Sequence, residues 1–311
     1  MAERSLLVTI DTEVDKDPRW RISNPVSFRS VTDGVPLVLS PLFDRYGVVP
    51  TYFLSAEVLE ERECVTVLKA LGDRAELGTH LHSEFVEPDR KLSRDNMAGQ
   101  GADALQKECS RDIESRKLEN LTTLFRDRIG YAPTSFRAGR YAISESTLEI
   151  LARLGYRVDS SVTPGLRWEY LEGVVDFTSW SAAPVRVDTP AGPLVEIPVS
   201  IRTGSMSARW VQKWPAPLKR AVTRLAGRHA QHPWLRPSWA SGSALIRYVK
   251  ASREPIQNLM LHSMEVIPGA SPYARTSADA ERIVDAMDAL FEYCASERFT
   301  FCGITAASSH V

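Results

Sequence analysis

The sequence predicts an α/β fold with a parallel sheet and helices outside it, and three observations predict it. Short apolar runs rich in β-branched and aromatic residues alternate with longer helical patterns over most of the chain. There are about seven such units, which suits a barrel better than an open sheet. The length, 311 residues, accommodates one large domain, and no internal repeat or low-complexity tract divides it.

The strand candidates come in order. Leu6–Ile10, Pro50–Leu54 and Glu76–Thr79 are followed by Ser135–Arg137, Tyr156–Val158, Leu194–Ile197, Asn258–Leu261 and Phe299–Phe301. Between them lie helical patterns. Gly34–Tyr46 carries Val35, Leu37, Val38, Leu42 and Phe43. Ser55–Leu71 opens on a cap-like serine with Glu57 and Glu60 in the first turn. Ala102–Ile129 is long and charged, with Leu105, Ile113, Leu118, Leu121 and Leu124 on one side. Ser144–Leu154 has a serine cap and a stripe of Leu148, Ile150, Leu151 and Leu154. Ser277–Ser296 shows Ile283, Met287, Leu290 and Phe291 as its apolar face.

Composition bounds the function classes. Hydrophobic residues make up 43% and charged residues 25%, as expected of a globular chain with a core of normal size. No run approaches the ~18 apolar residues of a membrane-spanning helix, and the start does not read as a signal peptide. Cys64, Cys109, Cys294 and Cys302 form no C-x-x-C pair and read as small apolar residues. A cytoplasmic location is therefore expected. From Ile197 to Arg253 there is no Asp or Glu, but eleven Lys and Arg and four of the seven tryptophans. This reads as a basic insertion at about 202–253. Leu218, Ala221, Val222 and Leu225 fall on one helical face, with Lys219, Arg220 and Arg224 mainly on the other. That is the pattern of peripheral contact with the inner face of an anionic membrane. With a net charge of −1 and no binding motif, nucleic acid is not an expected partner.

The chemistry-bearing residues cluster where strands end. Asp11 and Glu13 follow the first strand, two apart and therefore on one face. His80 and His82 follow the third in the same spacing, a pattern that grips a metal with two neutral nitrogens. Glu84 stands two further on. His262 ends a later apolar strand, and Arg137 lies in Phe136-Arg-Ala-Gly139-Arg-Tyr141, where the glycine allows close backbone approach. In parallel α/β folds that end of the sheet faces the ligand.

Taken in this order, the segments resemble the polysaccharide deacetylase (NodB-homology) family, of the carbohydrate esterase type, over roughly Leu6 to Ile304. Tyr156-Arg-Val-Asp159-Ser160-Ser161 is also similar to a strand of that family. The resemblance implies a distorted (β/α)7-type barrel in a single domain, and a divalent metal: zinc first, with Co, Ni, Mn or Fe as other ions. It implies removal of an N-acyl group, usually acetyl, from an amino sugar of a glycan or lipid-linked saccharide. By the matching motifs Asp11 is the base, Arg137 its holder, His262 the acid and His80 a metal ligand. Tyr141, with Gly139, matches the backbone that steadies the oxyanion.

The chain departs from the family pattern twice. Thr12 stands where a second aspartate is usual, so Glu13 is expected to supply the metal carboxylate. Glu84 stands where the second histidine is usual, so His82 becomes the second nitrogen ligand and Glu84 is left to the substrate side. Two other readings are open: a deformylase or other non-peptide C–N hydrolase on the same scaffold, and a non-catalytic carbohydrate- or lipid-binding module. The run Ser83–Gly101, directly after the histidines, is expected to be a loop over the site.

Overall fold

The structure, a computed structural model, describes residues 4–101, 105–202 and 233–311. Its first half comprises β1 (Ser5–Thr12), α1 (Ser40–Tyr46), β2 (Thr51–Leu54), α2 (Ala56–Glu60), α3 (Arg62–Lys69), β3 (Glu76–Leu81), α4 (Arg111–Ile129) and β4 (Ser135–Ala138). Next come α5 (Glu145–Arg153), β5 (Val158–Asp159), β6 (Arg167–Glu169), β7 (Val174–Asp176), β8 (Val185–Thr189) and β9 (Gly192–Glu196). The chain ends with α6 (Gly242–Ala251), β10 (Ile256–His262), α7 (Ser277–Ser296) and α8 (Ile304–Ala307).

Seven strands run parallel in the order β10-β1-β2-β3-β4-β5-β9, and β8 is added antiparallel on β9. The sheet curls into a distorted barrel. The gap between β9 and β10 is bridged by chain that is not regular strand. Ser200 N donates to Asn258 O (3.1 Å), Leu235 N to Ser200 O (2.9 Å) and Met260 N to Leu235 O (3.2 Å). The (β/α)7-type expectation therefore holds.

Alternation along β1 explains the layers. Leu6, Val8 and Ile10 join the core between sheet and helices, while Leu7 joins a second cluster with Phe53, Val158, Ile197, Ile256, Ile304 and Ala307. Ile304 and Ala307 of α8 thereby plug the bottom of the barrel with apolar side chains. The layer above is polar and closed on itself: Thr9 Oγ1 donates to Asn258 Oδ1 (2.7 Å), and Asn258 Nδ2 to Ser160 Oγ (3.0 Å). Such a layer is stable because its buried groups are paired.

Several sequence expectations are corrected at their edges. Phe299–Phe301 is not a strand but a single bridge of Thr300 to Ser5, since the chain turns at once into α8. Ser55–Leu71 breaks in two at Glu61, whose φ −86° and ψ 111° are extended. Helix α4 starts only at Arg111, where Ser110 caps it by accepting from Ile113 N; residues 102–104 lie outside the described residues. Strand β5 starts at Val158 because Tyr156 still belongs to the end of α5, its N–H donating to Leu151 O across Gly155 at φ 89°. The β6–β7 hairpin and β8 were not expected.

Of the stretch expected as a basic insertion at about 202–253, residues 203–232 lie outside the described residues, and so does the expected amphipathic face of Leu218–Leu225. The remainder is built into the barrel. Ile201 bridges Trp234, and α6 packs on α7, where Gly242 lies against Ala289. No helix among the described residues is long and apolar enough to cross a membrane. The run Ser83–Gly101 is loop beyond one short turn, but it is tied down. Lys117 Nζ donates to the carbonyls of Ser83, Val86 and Pro88, and Gly99 and Gln100 bond the backbone of Ile22.

A candidate metal and acid–base site

The parallel register sets the site. Asp11 at the end of β1 lies beside His262 at the end of β10, and His80 on β3 lies beside Arg137 on β4. Arg137 is fully buried and has its donors engaged. Its Nη1 donates to Asp11 Oδ1 (2.8 Å), Nη2 to Thr9 Oγ1 and Ser160 Oγ (both 2.9 Å), and Nε to Ser160 O (2.8 Å). The guanidinium also lies over the Phe53 ring at 4.6 Å. Burial opposes charge on Asp11, but Arg137, with His80 and His262 behind it, holds the carboxyl below its ordinary value. Asp11 is therefore an ionised carboxylate with Oδ1 engaged and Oδ2 turned toward His262 Nε2, 4.0 Å away.

Beside this pair Glu13, His80 and His82 converge, and their ligand-type atoms all lie within 4.8 Å of one another. Glu13 Oε1 is 3.3 Å from Nε2 of both His80 and His82, and 3.8 Å from Nε2 of His262. The His80 Nδ1–H is placed to donate to Arg137 O (2.8 Å), which turns Nε2 toward the cluster as the nitrogen available to a ligand. His82 Nε2 is buried and has no hydrogen-bond partner. An orphaned nitrogen facing a carboxylate and a second imidazole is what a divalent cation would complete, so the residues fit a metal.

Neighbours tune this cluster. Burial opposes charge on Glu13 as well, but His82 and Lys16, the latter with Nζ 3.4 Å from Oε2, hold it well below the carboxylate range. Burial opposes a charged His82, yet Glu13 and Glu84 on either side raise it to about 10. Metal binding there at neutral pH must displace a proton. Zinc affinity is therefore expected to fall about tenfold per unit of pH lowered. Calorimetric titrations at about pH 6.5 and about pH 8 check this, and a pH-independent affinity would contradict it.

Glu84 stands behind the cluster: its buried carboxylate lies 3.5 Å from His82 Nδ1 and 3.2 Å from Arg140 Nη2. Gly139 serves the same ring. A Cβ there would stand 2.9 Å from His82 Nδ1 and Cε1 and 2.8 Å from Leu81 O. Gly139→Ala is expected to push His82 off its place and weaken zinc binding by about 10- to 100-fold, which equilibrium competition with a chromophoric chelator measures. Tyr141 sits at the rim with φ 59°, after Arg140 at φ 54°, a pair of left-handed conformations that side-chain residues rarely hold.

No family model matches the sequence, and no curated protein is similar to it in sequence. The fold does have solved counterparts. A structure from Mycobacterium smegmatis assigned as a polysaccharide deacetylase aligns over 99% of this chain and 91% of its own, with a TM-score of 0.51 at 15% identity. The chain has the polysaccharide deacetylase fold. Two further structures align at 12% identity. The Xyl-CE4 domain of a xylanase from a Trinervitermes trinervoides hindgut metagenome covers 99% and 91% (TM-score 0.47). The Bc1960 peptidoglycan N-acetylglucosamine deacetylase covers 97% and 86% (TM-score 0.48).

Sequence reasoning placed Asp11, Glu13, His80, His82, Arg137 and His262 around the end of this barrel, and the structure brings all six together. It missed four charged neighbours. Lys16 and Glu265 each stand three residues after a named residue, a spacing that could have flagged them. Buried Glu57, which accepts from Val14 N (3.3 Å), and Arg236 carry no sequence signal. The aromatic rim was also missed. Ring contacts run Trp20–Tyr273 (5.5 Å), Tyr273–Trp239 (6.0 Å), Trp239–Trp234 (5.1 Å), Trp234–Trp168 (6.1 Å) and Trp168–Tyr141 (6.1 Å). Trp20, 36% exposed, stands edge-on to His262 at 5.2 Å.

Proposed function

We propose that the protein is a metal-dependent hydrolase that removes an N-acyl group, acetyl first, from an amino sugar of a glycan. The observation that carries this reading is the convergence of a three-residue metal cradle, an Arg-held aspartate and a separate histidine at one end of the barrel. Zinc is the proposed ion, held by Glu13, His80 and His82. Such an ion, when bound, supplies Lewis-acid chemistry, acidifying water and polarising the amide carbonyl.

The chain's own groups supply the rest. Asp11, ionised and fixed by Arg137, takes a proton from the attacking water through its free Oδ2. The backbone at Gly139–Tyr141 is the proposed steadying group for the oxyanion. His262 gives a proton from Nε2 to the leaving amine, which would otherwise depart as an unstable amide anion. Water and amide thus become carboxylic acid and amine. The aromatic rim supports a sugar substrate, because ring faces and edges cover the apolar face of a pyranose.

The proposal extends to location and carrier. A cytoplasmic enzyme touching the membrane periphery, with a lipid-linked saccharide as substrate, is supported by the basic, tryptophan-rich composition of residues 197–253. The test of activity is release of acetate and free amine from N-acetylated chitooligosaccharides by zinc- or cobalt-loaded protein. Metal-dependent release in equal amounts is the expected result. Full metal loading without amine release from free or lipid-linked substrates would overturn the reading.

A further inference from the structure

His262 is held from the side away from the cradle by a buried carboxylate. Glu265 lies three residues on, in the short turn Ser263–Val266, and is fully buried. Its Oε1 accepts the His262 backbone N–H (3.1 Å), lies 2.8 Å from His262 Nδ1, and accepts from Arg236 Nη2. Arg236, itself buried, comes from the segment that closes the barrel between β9 and β10. It is fixed on several sides: Nε donates to Ser238 Oγ (3.1 Å), and the guanidinium lies 4.4 Å over Trp239 and 5.0 Å from Tyr273.

We propose that Glu265 is the positioning residue of His262 and that Arg236 locks Glu265 in that task. This rests on the reading of His262 as proton donor to the leaving amine. The proton arrangement follows from the contacts. Arg236 Nη2, a donor only, lies 2.9 Å from His262 Nδ1, but Nδ1 also lies 2.8 Å from a carboxylate oxygen that can only accept, and that contact needs a proton on Nδ1. The Nδ1–H therefore goes to Glu265, and Nε2 is the nitrogen turned toward Asp11 and Glu13. Burial opposes charge on Glu265, but Arg236 and then His262 hold it down to about 2. It stays an acceptor and does not take the proton that His262 delivers. Neither residue reaches the cradle, so their effect on turnover passes through the orientation of one ring.

The experiment uses the full chain loaded with zinc. Nitrogen-15 spectra, with the His262 signals assigned by comparison with His262→Gln, report the ring's tautomer without disturbing the pair. The expected result is a proton held on Nδ1, with Nε2 the nitrogen that carries and gives up the catalytic proton, and a neutral ring protonated only at Nε2 would overturn the inference. Glu265→Ala is expected to lower kcat about 100-fold, the lower end of what a general acid supplies. KM should stay within about twofold with zinc content unchanged. Glu265→Gln, which keeps an acceptor, should recover about tenfold of that loss. A folded, zinc-loaded Glu265→Ala protein with wild-type kcat would overturn the inference, as would a loss confined to KM. If that variant does not fold, an Arg236→Met/Glu265→Met double variant removes both charges together and is read by the same criteria. Absence of any wild-type deacetylation would sink the functional reading alone, because the tautomer still decides the positioning.

Discussion

Arg137→Met is expected to destabilise the protein by about 3–5 kcal/mol, measured by urea denaturation of the metal-free chain. The side chain has four hydrogen bonds in the polar layer of the barrel and pairs with Asp11 where both groups are buried. Methionine fills the volume but leaves Asp11 as a buried charge without its main partner, and Thr9 Oγ1 and the Ser160 carbonyl without the donor that Arg137 supplies. Burial would then push the Asp11 carboxyl up, so the variant should also lose activity at neutral pH. A loss below about 1 kcal/mol, the size of an exposed pair, would show that the Asp11–Arg137 contact is not the buried clamp described.

Asp11→Asn is expected to cost about 10³-fold in kcat while the bound metal stays. Asparagine keeps an oxygen for Arg137 Nη1 but cannot take a proton. Asp11 is not among the three residues of the cradle, so zinc content should match the wild type. Loss of the metal together with activity would move Asp11 from base to ligand and change the mechanism.

Much of this was legible in the sequence because strands declare themselves by composition and the site sits at their ends. Leu6–Ile10 followed by Asp11 and Glu13, and Glu76–Thr79 followed by His80 and His82, could be read directly. Residues two apart on extended chain share a face, so each pair was already a half-site. The meeting of the halves needed the register, which pairs Asp11 with His262 and His80 with Arg137. The roles that stayed hidden belong to long-range partners. Arg236 reaches His262 from a segment that looks like loop, and Glu84 reads as a free acid until Arg140 and His82 are seen beside it. Helix edges failed where local chemistry overrode the apolar stripe, as at Glu61 between α2 and α3.

The central claim is that Glu13, His80 and His82 hold a metal, and elemental analysis of the purified full chain tests it most directly. The account predicts about one equivalent of a transition metal per chain, and none in a His80→Ala/His82→Ala double variant whose circular dichroism matches the wild type. A zinc-reconstituted wild type that binds no metal, or a double variant that keeps both its metal and its turnover, would contradict it.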